Sequence, residues 1–323
     1  MADDLMPQRE TPEISVIVPN WNGGPFIGRC LSSIQHALRA AGRVAEIVLV
    51  DDASSDGSRE RIAARFPRVR LIAKEHNVGF IESANHGVRS ANGKIALLIN
   101  NSMTLREDCI AQLIAPFDAE DADDLFAVSG FVTQWESGEP SHAWMGAALD
   151  KGWLRLRRDQ PNDLCEALFF HDGCAAVRRE RFLELGGFDP IFAPGGWEDY
   201  DMSLRAWTRG WRVLYEPAAR TVHLGQAPLA GRYGPDGARQ IEQRNRLLFG
   251  WMNVEDLSLV SRLPACAAMA CRRGDTSLLK AALKAFVQRK AAAEGRKRRM
   301  AEREISALEI LRRFEQRGQW ADE

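Results

Sequence analysis

The sequence predicts an α/β fold in which an open, mostly parallel β-sheet is flanked by helices, with a helical extension at the C-terminus. Three observations support this prediction. Short apolar runs rich in Val and Ile recur in the N-terminal part of the chain, and each is short enough to be a buried strand. Amphipathic stretches of helical length separate these runs, and polar residues follow each run. Strands that alternate with helices form parallel sheets, because the helices cross over between neighbouring strands.

The elements follow one another in a regular β-α-β-α-β-α-β order. Strands are predicted at residues 14–19, 46–52, 69–72 and 95–99. Helices are predicted at about 25–41, 59–66 and 81–90, and their apolar residues recur at helical spacing.

Polar residues follow each of the four predicted strands. They are Pro19-Asn20-Trp21, Asp51-Asp52, His76-Asn77 and Asn100-Asn101-Ser102. Ligands of such sheets bind beyond the carboxyl ends of the strands, so these residues are candidates for one shared site. Neither the dinucleotide motif GxGxxG after the first strand nor the P-loop motif GxxxxGK[ST] is present, which argues against those two nucleotide-binding classes.

Three carboxylates follow a Gly-Gly turn at Gly195-Gly196. Glu198, Asp199 and Asp201 lie where a helical periodicity begins. The dipole at a helix N-terminus favours negative charge, so we expect lowered pKa values and ionised carboxylates. An ionised carboxylate in a cleft can accept a proton from an alcohol. An ordinary acidic helix start explains the same residues equally well.

The region from residue 106 to 240 is richer in Trp and Gly. Residues 134–162 show no clear periodicity and are long for a passive connection, so we expect a mobile or substrate-contacting excursion there. Exposed Trp side chains can stack on sugar rings, although packing in the core is their commoner role.

The C-terminal region, from about residue 240, is predicted to be helical and basic. Residues 272–317 contain fourteen Lys and Arg against six Asp and Glu, an excess of eight positive charges. Ile305, Leu308, Leu311 and Phe314 form an apolar stripe. Such a helix can rest on an anionic membrane or pair with a partner helix, and it can equally pack on its own domain.

Composition limits the compartment and the partners. The net charge of −1 gives no reason to expect a nucleic-acid partner. Six scattered cysteines without zinc-type spacing predict free thiols in a reducing cytoplasm. Residues 1–12 contain no signal-peptide core, and no apolar run approaches the ~18 residues of a membrane span. We therefore expect a cytoplasmic protein, and attachment to the inner face of the plasma membrane stays open.

Six motifs together resemble the family 2 glycosyltransferases, which are inverting enzymes with the GT-A fold. Within that family the chain is most similar to rhamnosyltransferase-like enzymes of bacterial surface-polysaccharide synthesis. The resemblance covers about residues 13–250. The motifs lie, in the family's order, at residues 15–23, 50–58, 77–87, 177–189, 197–201 and 222–225.

The resemblance implies a nucleotide-sugar site at the strand ends. Asp51 or Asp52 would bind the base or ribose of the donor, and Trp21, beside Pro19, would pack against the base. Four asparagines would complete the pocket, although Asn also serves turns without any ligand. They are Asn77, Asn85, Asn100 and Asn101.

The resemblance also implies the catalytic residues. Asp199 would deprotonate the acceptor hydroxyl for in-line attack on the anomeric carbon, with inversion, and Glu198 would orient Asp199 or bind the acceptor. His223 matches a family histidine that completes a Mg²⁺ or Mn²⁺ site or contacts the diphosphate. A structural role for His223 stays open.

One position departs from the family pattern. Family members carry an acidic metal-binding residue at the end of the fourth strand, where this chain has Ser102. A hydroxyl is a weak ligand, so Mg²⁺ or Mn²⁺ binding should be weakened. Two alternatives stay open: a metal still binds through His223, the diphosphate and water, or the enzyme is metal-independent and Arg178, Arg179 or Arg244 neutralises the phosphates.

These interpretations predict a glycosyltransferase that acts on a hydroxyl of a glycan or a lipid-linked glycan. We expect a flexible N-terminus at 1–12, a nucleotide-sugar-binding half at 13–105, an acceptor-binding half at 106–240 and a basic helical extension at 241–323. The alternative is a catalytically degenerate GT-A module that acts as a binding or scaffold protein. A nucleotidyltransferase is disfavoured because its glycine- and lysine-rich loop is missing. Formation of a homodimer stays open.

Overall fold

The computed structural model describes residues 11–150, 153–225, 228–256, 272, 274 and 276–320. Its described strands form a ten-stranded sheet and a three-stranded sheet. The strands are β1 (Ile14–Asn20), β2 (Ala45–Asp51), β3 (Arg70–Ala73), β4 (Ile95–Ile99), β5 (Met103–Leu105), β6 (Leu125–Gln134), β7 (Pro140–His142), β8 (Trp144–Asp150), β9 (Trp153–Asp159), β10 (Cys165–Glu166), β11 (Cys174–Arg178), β12 (Arg212–His223) and β13 (Gln319–Trp320). The helices are α1 (Ile27–Ala41), α2 (Ser58–Arg65), α3 (Phe80–Ser90), α4 (Cys109–Ile114), α5 (Arg179–Glu184), α6 (Glu198–Trp207), α7 (Pro228–Asn253), α8 (Thr276–Val287), α9 (Arg289–Glu302) and α10 (Ala307–Phe314).

The large sheet has the strand order β10-β12-β6-β11-β4-β1-β2-β3, with β5 paired to β12 and β7 paired to β6. Strands β3, β2, β1 and β4 are parallel, as the repeated strand-helix pattern predicts. Strand β12 is also parallel to β6, whereas β11 runs antiparallel between β6 and β4. The predicted α/β class and open sheet are confirmed, and each described antiparallel pair includes a strand that follows β4.

Both faces of the parallel strands are buried. Ile17 and Val48 belong to one hydrophobic core, and their neighbours Val18 and Leu49 belong to the other. Successive side chains of a strand point to opposite faces, so a strand covered on both sides must be apolar at every position. This double burial explains why the strands could be located as continuous apolar runs.

The expected excursion at residues 134–162 is instead strand structure. Strands β8 and β9 pair antiparallel from Trp144 to Asp159, and β13 joins β9. Trp144 is fully buried, and its indole Nε1 donates to the carbonyl oxygen of Glu166 at 2.7 Å. Arginines at three positions of β9 interrupt the apolar alternation, which hid this hairpin in the sequence.

The apolar stripe of α10 packs on the protein's own core. Leu311 and Phe314 are buried, and the Phe314 ring lies 6.3 Å from Trp144 and 5.4 Å from Trp207 between centroids. The other two residues of the stripe, Ile305 and Leu308, are partly buried against the same core. Of the three alternatives that the sequence leaves open for this stripe, the structure shows packing on its own domain.

A buried ion-pair network joins α6 to α9. Arg205 Nε donates to Asp201 Oδ2 at 2.8 Å, and Arg299 Nη2 donates to both carboxylate oxygens at 2.9 and 3.0 Å. Asn253 adds a hydrogen bond to the same carboxylate at 2.8 Å. Burial opposes the ionisation of Asp201, but the two guanidinium groups outweigh it and keep the pKa of Asp201 below its usual value. The network fixes α6 against the C-terminal helices, because each buried charge requires its partners.

The four described cysteines are free thiols, as predicted, and three of them are buried. Cys266 and Cys271 lie outside the described residues, as do residues 1–10 of the N-terminal segment. Among the helices that the structure describes, none is both long enough and apolar enough to cross a bilayer.

The Arg299→Met variant tests the ion-pair network. Loss of this guanidinium leaves Asp201 buried with one cation, so the free energy of unfolding should fall by about 3 kcal/mol. Calorimetric melting temperatures measure the change. Arg298→Met is the matched control, because the Arg298 side chain is 59% exposed and its loss should cost less than about 0.5 kcal/mol. Equal melting temperatures for the two variants would contradict the assignment.

Candidate active site

Hydrogen bonds join three of the polar strand ends at one edge of the sheet. Asn20 Nδ2 donates to Asp51 Oδ1 at 2.9 Å, and Asn101 Nδ2 donates to Asn20 Oδ1 at 3.0 Å. The ends of β1, β2 and β4 therefore form a continuous polar edge. This is the edge at which the parallel topology predicts a ligand.

Asp51 and Asp52 are both buried and belong to different networks. Burial opposes the ionisation of Asp51, but hydrogen bonds from two neutral side chains and from Arg59 hold its pKa below the usual value. The carboxylate of Asp52 accepts from two backbone N–H groups at residues 78 and 79, at 2.9 and 2.8 Å. Asn77 Nδ2 donates to the Asp52 carbonyl at 3.2 Å. Both aspartates therefore shape the loops of the polar edge.

Trp21 presents an exposed aromatic ring beside this edge. The residue is 42% exposed, and the Arg232 guanidinium lies 4.5 Å from its ring centroid. Pro19 precedes it in β1, opposite Val50. An exposed ring next to a cation offers both stacking and charge to a planar, anionic ligand.

Asn85 makes a structural contact, which differs from the pocket-shaping role that the resemblance implies. Its amide oxygen accepts from Phe188 N at 2.8 Å, and its Nδ2 donates to Phe188 O at 2.9 Å. The residue is 3% exposed. Its polar atoms hold the turn after α5 against α3.

Two of the three arginines considered as phosphate ligands lie at the wrong end of the sheet. Arg178 pairs with Ile95 at the start of β4, whereas the polar edge follows Ile99 at its end. The side chains of Arg178 and Arg179 donate to backbone carbonyl oxygens there. Arg244 lies beside the turn that precedes α6, and it also donates to backbone carbonyl oxygens. The expectation that Arg178 or Arg179 neutralises a diphosphate at the polar edge is therefore wrong.

Ser102 and His223 are neighbours where β4 and β12 end. Leu224 N donates to the Ser102 carbonyl at 2.8 Å, and His223 is paired with Met103. Burial lowers the pKa of His223, so its imidazole is neutral near pH 7. The predicted residues at the end of β4 therefore provide amide, hydroxyl and imidazole groups, and no carboxylate.

Two further histidines lie close to His223. The rings of His142 and His171 stack at 3.4 Å between centroids, and the charge state of His223 influences both. Burial lowers the pKa of His142 to about 3 and that of His171 well below its usual value. A Cβ atom on Gly173 would lie 2.6 Å from the His171 ring and 3.0 Å from the Asn100 amide. Gly173 therefore lies beside both the His171 ring and the end of β4, and a side chain at this position would collide with both.

Three buried carboxyl groups lie next to His171. Asp172, Glu198 and Asp199 are 7%, 4% and 6% exposed, and a hydrogen bond joins the side chains of Asp172 and Glu198. Burial raises the pKa of Asp172 to about 7. Burial, together with repulsion from Asp172, raises the pKa values of Glu198 and Asp199 well above their usual range. The helix begins at Glu198 as predicted, but the predicted lowering of these pKa values is wrong, because burial outweighs the helix dipole.

The turn before α6 is held by Asn245 of α7. Its Nδ2 donates to the carbonyl oxygens of Phe192, Gly195 and Gly196 at 2.8, 3.1 and 2.7 Å. Trp197, the next residue, has a φ of 78°, which is rare for a bulky side chain. Such strain persists only where surrounding contacts enforce it. These contacts fix the start of α6 and with it the two carboxylates.

Residues 15–186 match the sequence profile of glycosyl transferase family 2. The chain belongs to this family. The match covers just over half of the 323 residues and confirms the predicted family. Glu198, Asp199 and His223 lie beyond the matched region.

Curated relatives of this family 2 chain come from animals and bacteria. It is 27% identical over 267 residues to polypeptide N-acetylgalactosaminyltransferase 10 of Mus musculus. The aligned region covers 75% of this chain and 42% of the relative. This chain is also 25% identical over 248 residues to the N-acetylglucosaminyl-diphospho-decaprenol L-rhamnosyltransferase of Mycobacterium tuberculosis. That aligned region covers 66% of this chain and 76% of the relative. The chain therefore spans less than half of the length of the animal relative.

Solved glycosyltransferase structures share the fold. GalNAc-T7 with UDP, GalNAc and Mn²⁺ superposes with a TM-score of 0.61 at 20% identity, over 91% of this chain and 57% of that one. A mannosyltransferase from Pyrobaculum calidifontis in complex with GDP-Man and Mn²⁺ superposes with a TM-score of 0.55 at 18% identity, over 88% and 90%. Both are GT-A glycosyltransferases, so the predicted GT-A fold is confirmed.

The family 2 chain has one described group of residues that could hold a metal ion. His171, Asp172 and Asp199 bring their ligand atoms within 4.8 Å of one another. Carboxylate oxygens are the ligands that Mg²⁺ and Mn²⁺ prefer. Gly173, which lies beside the His171 ring and Asn100, connects this group to the end of β4.

Sequence analysis missed three residues of this site, namely His142, His171 and Asp172. The sequence signal that could have identified His171 and Asp172 is the apolar run at residues 167–170, which the structure buries. Like the predicted strands, this run is followed by polar residues, here His171-Asp172-Gly173. No signal marked His142, because its strand lies in the segment expected to be a loop.

The pair of variants Asn85→Ala and Trp21→Ala separates structural from ligand-binding roles. Asn85→Ala leaves the N–H and C=O of Phe188 unpaired, so it should cost about 2 kcal/mol of stability without changing nucleotide affinity of the folded protein. Trp21→Ala should lower nucleotide affinity and leave the melting temperature nearly unchanged. Titration calorimetry with UDP, dTDP and GDP, together with melting curves, measures both. If Asn85→Ala kept its stability and lost nucleotide binding, Asn85 would belong to the pocket after all.

Proposed function

We propose that this chain is an inverting glycosyltransferase that moves a sugar from a nucleotide-diphosphate donor to an acceptor hydroxyl. The observation that supports this most strongly is the closeness of the two halves of the site. Gly173 lies beside both the His171 ring and the Asn100 amide at the polar strand edge, and His171 groups with Asp172 and Asp199. A direct displacement needs the donor and the base on opposite sides of one reaction centre.

The donor is proposed to lie along the polar strand edge. Trp21 offers the exposed surface for the base, while the fully buried Asp51 holds Asn20 and Arg59 in place. The related solved structures contain UDP or GDP-Man, which is consistent with a nucleotide at this edge. The amide and hydroxyl groups at residues 100–102 can donate hydrogen bonds to a diphosphate, but they do not neutralise its charge.

The acceptor is proposed to bind on the side of α6, with Asp199 as general base. The acceptor hydroxyl transfers its proton to the Asp199 carboxylate, and the oxygen forms a bond to the anomeric carbon as the bond to the diphosphate breaks. Attack opposite to the leaving group inverts the configuration. Asp199 Oδ1 accepts from Tyr200 N at 2.9 Å, and Glu198 lies next to it, so both groups are fixed at the start of α6. A carboxylate with a raised pKa is a stronger base once it is ionised.

The Asp199→Asn variant tests the proposed base. It should lower the turnover number by about 10²–10⁴-fold while leaving the affinity for the donor nucleotide nearly unchanged. Glu198→Gln should have a smaller effect on turnover, because Glu198 positions the base or the acceptor. Single-turnover transfer assays and nucleotide titration measure these effects.

Two results would contradict this reading. An Asp199→Asn variant as active as the wild type would remove Asp199 from the mechanism. Nucleotide binding by a wild type that transfers no sugar from any donor would favour the degenerate binding module, which the neutral residue at Ser102 supports.

The acceptor is proposed to be a glycan or lipid-linked glycan at the inner face of the plasma membrane, with α8 as the membrane contact. This helix buries only alanines, whereas Leu283, Phe286 and Val287 are 59%, 55% and 76% exposed. Lysines of the same helix lie nearby, and the Arg289 guanidinium lies 4.4 Å from the Phe286 ring centroid. Exposed apolar side chains surrounded by basic ones complement an anionic lipid surface.

The double variant Leu283→Ser, Phe286→Ser tests this contact. Loss of two apolar groups from the interface should weaken binding to phosphatidylcholine vesicles that contain phosphatidylserine by about tenfold or more. Vesicle sedimentation measures this, and Leu164→Ser is the control, because Leu164 is an exposed leucine outside the C-terminal helices. If the wild type stays in the supernatant, or is a dimer that the double variant converts to a monomer, the membrane contact is wrong.

A further inference from the structure

The carboxyl groups of Asp172, Glu198 and Asp199 are buried without a positively charged partner among the described residues. All three are more than nine-tenths buried. Within the described ranges, none of them forms an ion pair with Lys or Arg, and Glu198 Oε2 is buried with no hydrogen-bond partner. Burying a carboxylate without a compensating cation is costly, and an unpartnered buried oxygen adds to the cost.

Asp201, on the same helix, shows how the fold treats a purely structural carboxylate. It is fully buried and accepts hydrogen bonds from both Arg205 and Arg299. The two kinds of carboxylate lie within one helical turn of each other, so burial alone does not distinguish them. The difference is that Asp201 forms ion pairs with two arginines, whereas Asp172, Glu198 and Asp199 form none with Lys or Arg among the described residues.

We propose that His171, Asp172 and Asp199 form a binding site for a divalent cation of the Mg²⁺ or Mn²⁺ class, in place of a site at the end of β4. Their ligand atoms lie within 4.8 Å of one another, which is compatible with one shared ion. Glu198 supplies further negative charge beside them. Such ions bind carboxylate oxygens and complete their coordination with water or phosphate oxygens.

The end of β4 fits this ion poorly. Its residues Asn100, Asn101 and Ser102 carry no charge, and Asn101 Nδ2 already donates to Asn20 Oδ1 at 3.0 Å. His223 is the neighbouring imidazole, and imidazole alone is a weak ligand set for Mg²⁺ or Mn²⁺. The described carboxyl groups that can bind a hard cation together with an imidazole are those of Asp172 and Asp199, which group with His171.

The hydrogen bond of His171 determines which contact and which ring proton must move when an ion binds. Its Nδ1 accepts from Gly173 N at 3.2 Å, and its Nε2 lies 4.0 Å from Asp172 Oδ1. In this arrangement the neutral ring carries its proton on Nε2, so coordination by Nε2 requires the proton to move to Nδ1 and the contact with Gly173 to be released. The two aspartates therefore supply most of the affinity, and His171 the smaller part.

This inference rests on the proposed function only through Asp199, which is the base there and a ligand here. A carboxylate that binds an ion through one oxygen keeps its second oxygen for an acceptor hydroxyl. A bound divalent ion supplies the positive charge that a leaving diphosphate requires and that residues 100–102 lack.

Binding of MnCl₂ alone to the full chain tests the site without any sugar transfer. Electron paramagnetic resonance of free Mn²⁺ should show one bound ion per wild-type chain. Asp172→Asn should weaken its affinity by at least about tenfold, since ligand charge sets affinity. Ser102→Ala is the matched control at the end of β4 and should leave the affinity nearly unchanged.

Thermal melting separates metal binding from a structural defect. Mn²⁺ should raise the melting temperature of the wild type and not that of Asp172→Asn, because a ligand stabilises only the state that binds it. Without metal, Asp172→Asn should melt no lower than the wild type, because it removes one uncompensated buried carboxyl group.

Several results would overturn the site. They are a wild type that binds no Mn²⁺, equal losses in Asp172→Asn and Ser102→Ala, and an Asp172→Asn variant that still gains stability from Mn²⁺. Mn²⁺ binding without sugar transfer would refute the proposed function and leave the site intact. Sugar transfer that continues in EDTA, with no Mn²⁺ bound, would refute the metal site and leave the proposed function intact.

Discussion

The ion pair of Asp201 with Arg299 fixes α6 against α9, and the candidate site depends on the position of α6, which begins at Glu198 and Asp199. Arg299 belongs to α9, and Asn245 of α7 holds the turn just before α6. The helices after residue 241 thus supply two of the contacts that aim Glu198 and Asp199 at Asp172. The C-terminal segment is a structural part of the site, although its sequence looks like an appended basic tail.

The four residues 198–201 show that the pKa values of neighbouring carboxyl groups in one helix can be shifted in opposite directions. Burial raises the pKa of Asp199, whereas two guanidinium groups lower the pKa of Asp201 despite similar burial. The helix dipole acts on both, and it is too small an effect to set either value. Partners contributed by distant segments decide the charge, so sequence position at a helix start does not predict it.

The parts of the fold that could be predicted are those that local sequence determines. The strands of the parallel half are continuous apolar runs because both of their faces are buried. Strands β1 to β4 and helices α1 to α3 begin and end within two residues of the predicted bounds. The hairpin of β8 and β9 was not predictable in the same way, since arginines at three positions of β9 interrupt its apolar pattern. Asn85 and His142 were misjudged or missed for a related reason: their contacts, to Phe188 and to His171, are made across the fold.

The departure at Ser102 and the unpartnered carboxyl groups can be understood together. Gly173 lies beside both the His171 ring and the Asn100 amide at the end of β4, and His171 groups with Asp172 and Asp199. A positive charge bound by this group would therefore lie near the same polar edge. The family's acidic residue at the end of β4 is replaced by a neutral serine in this chain, while the buried carboxyl groups beside His171 form no ion pair with Lys or Arg among the described residues. The electrostatic requirement of a diphosphate leaving group does not depend on which residues supply the cation. A loss of charge at Ser102 is thus compatible with an active site whose cation is held by different residues.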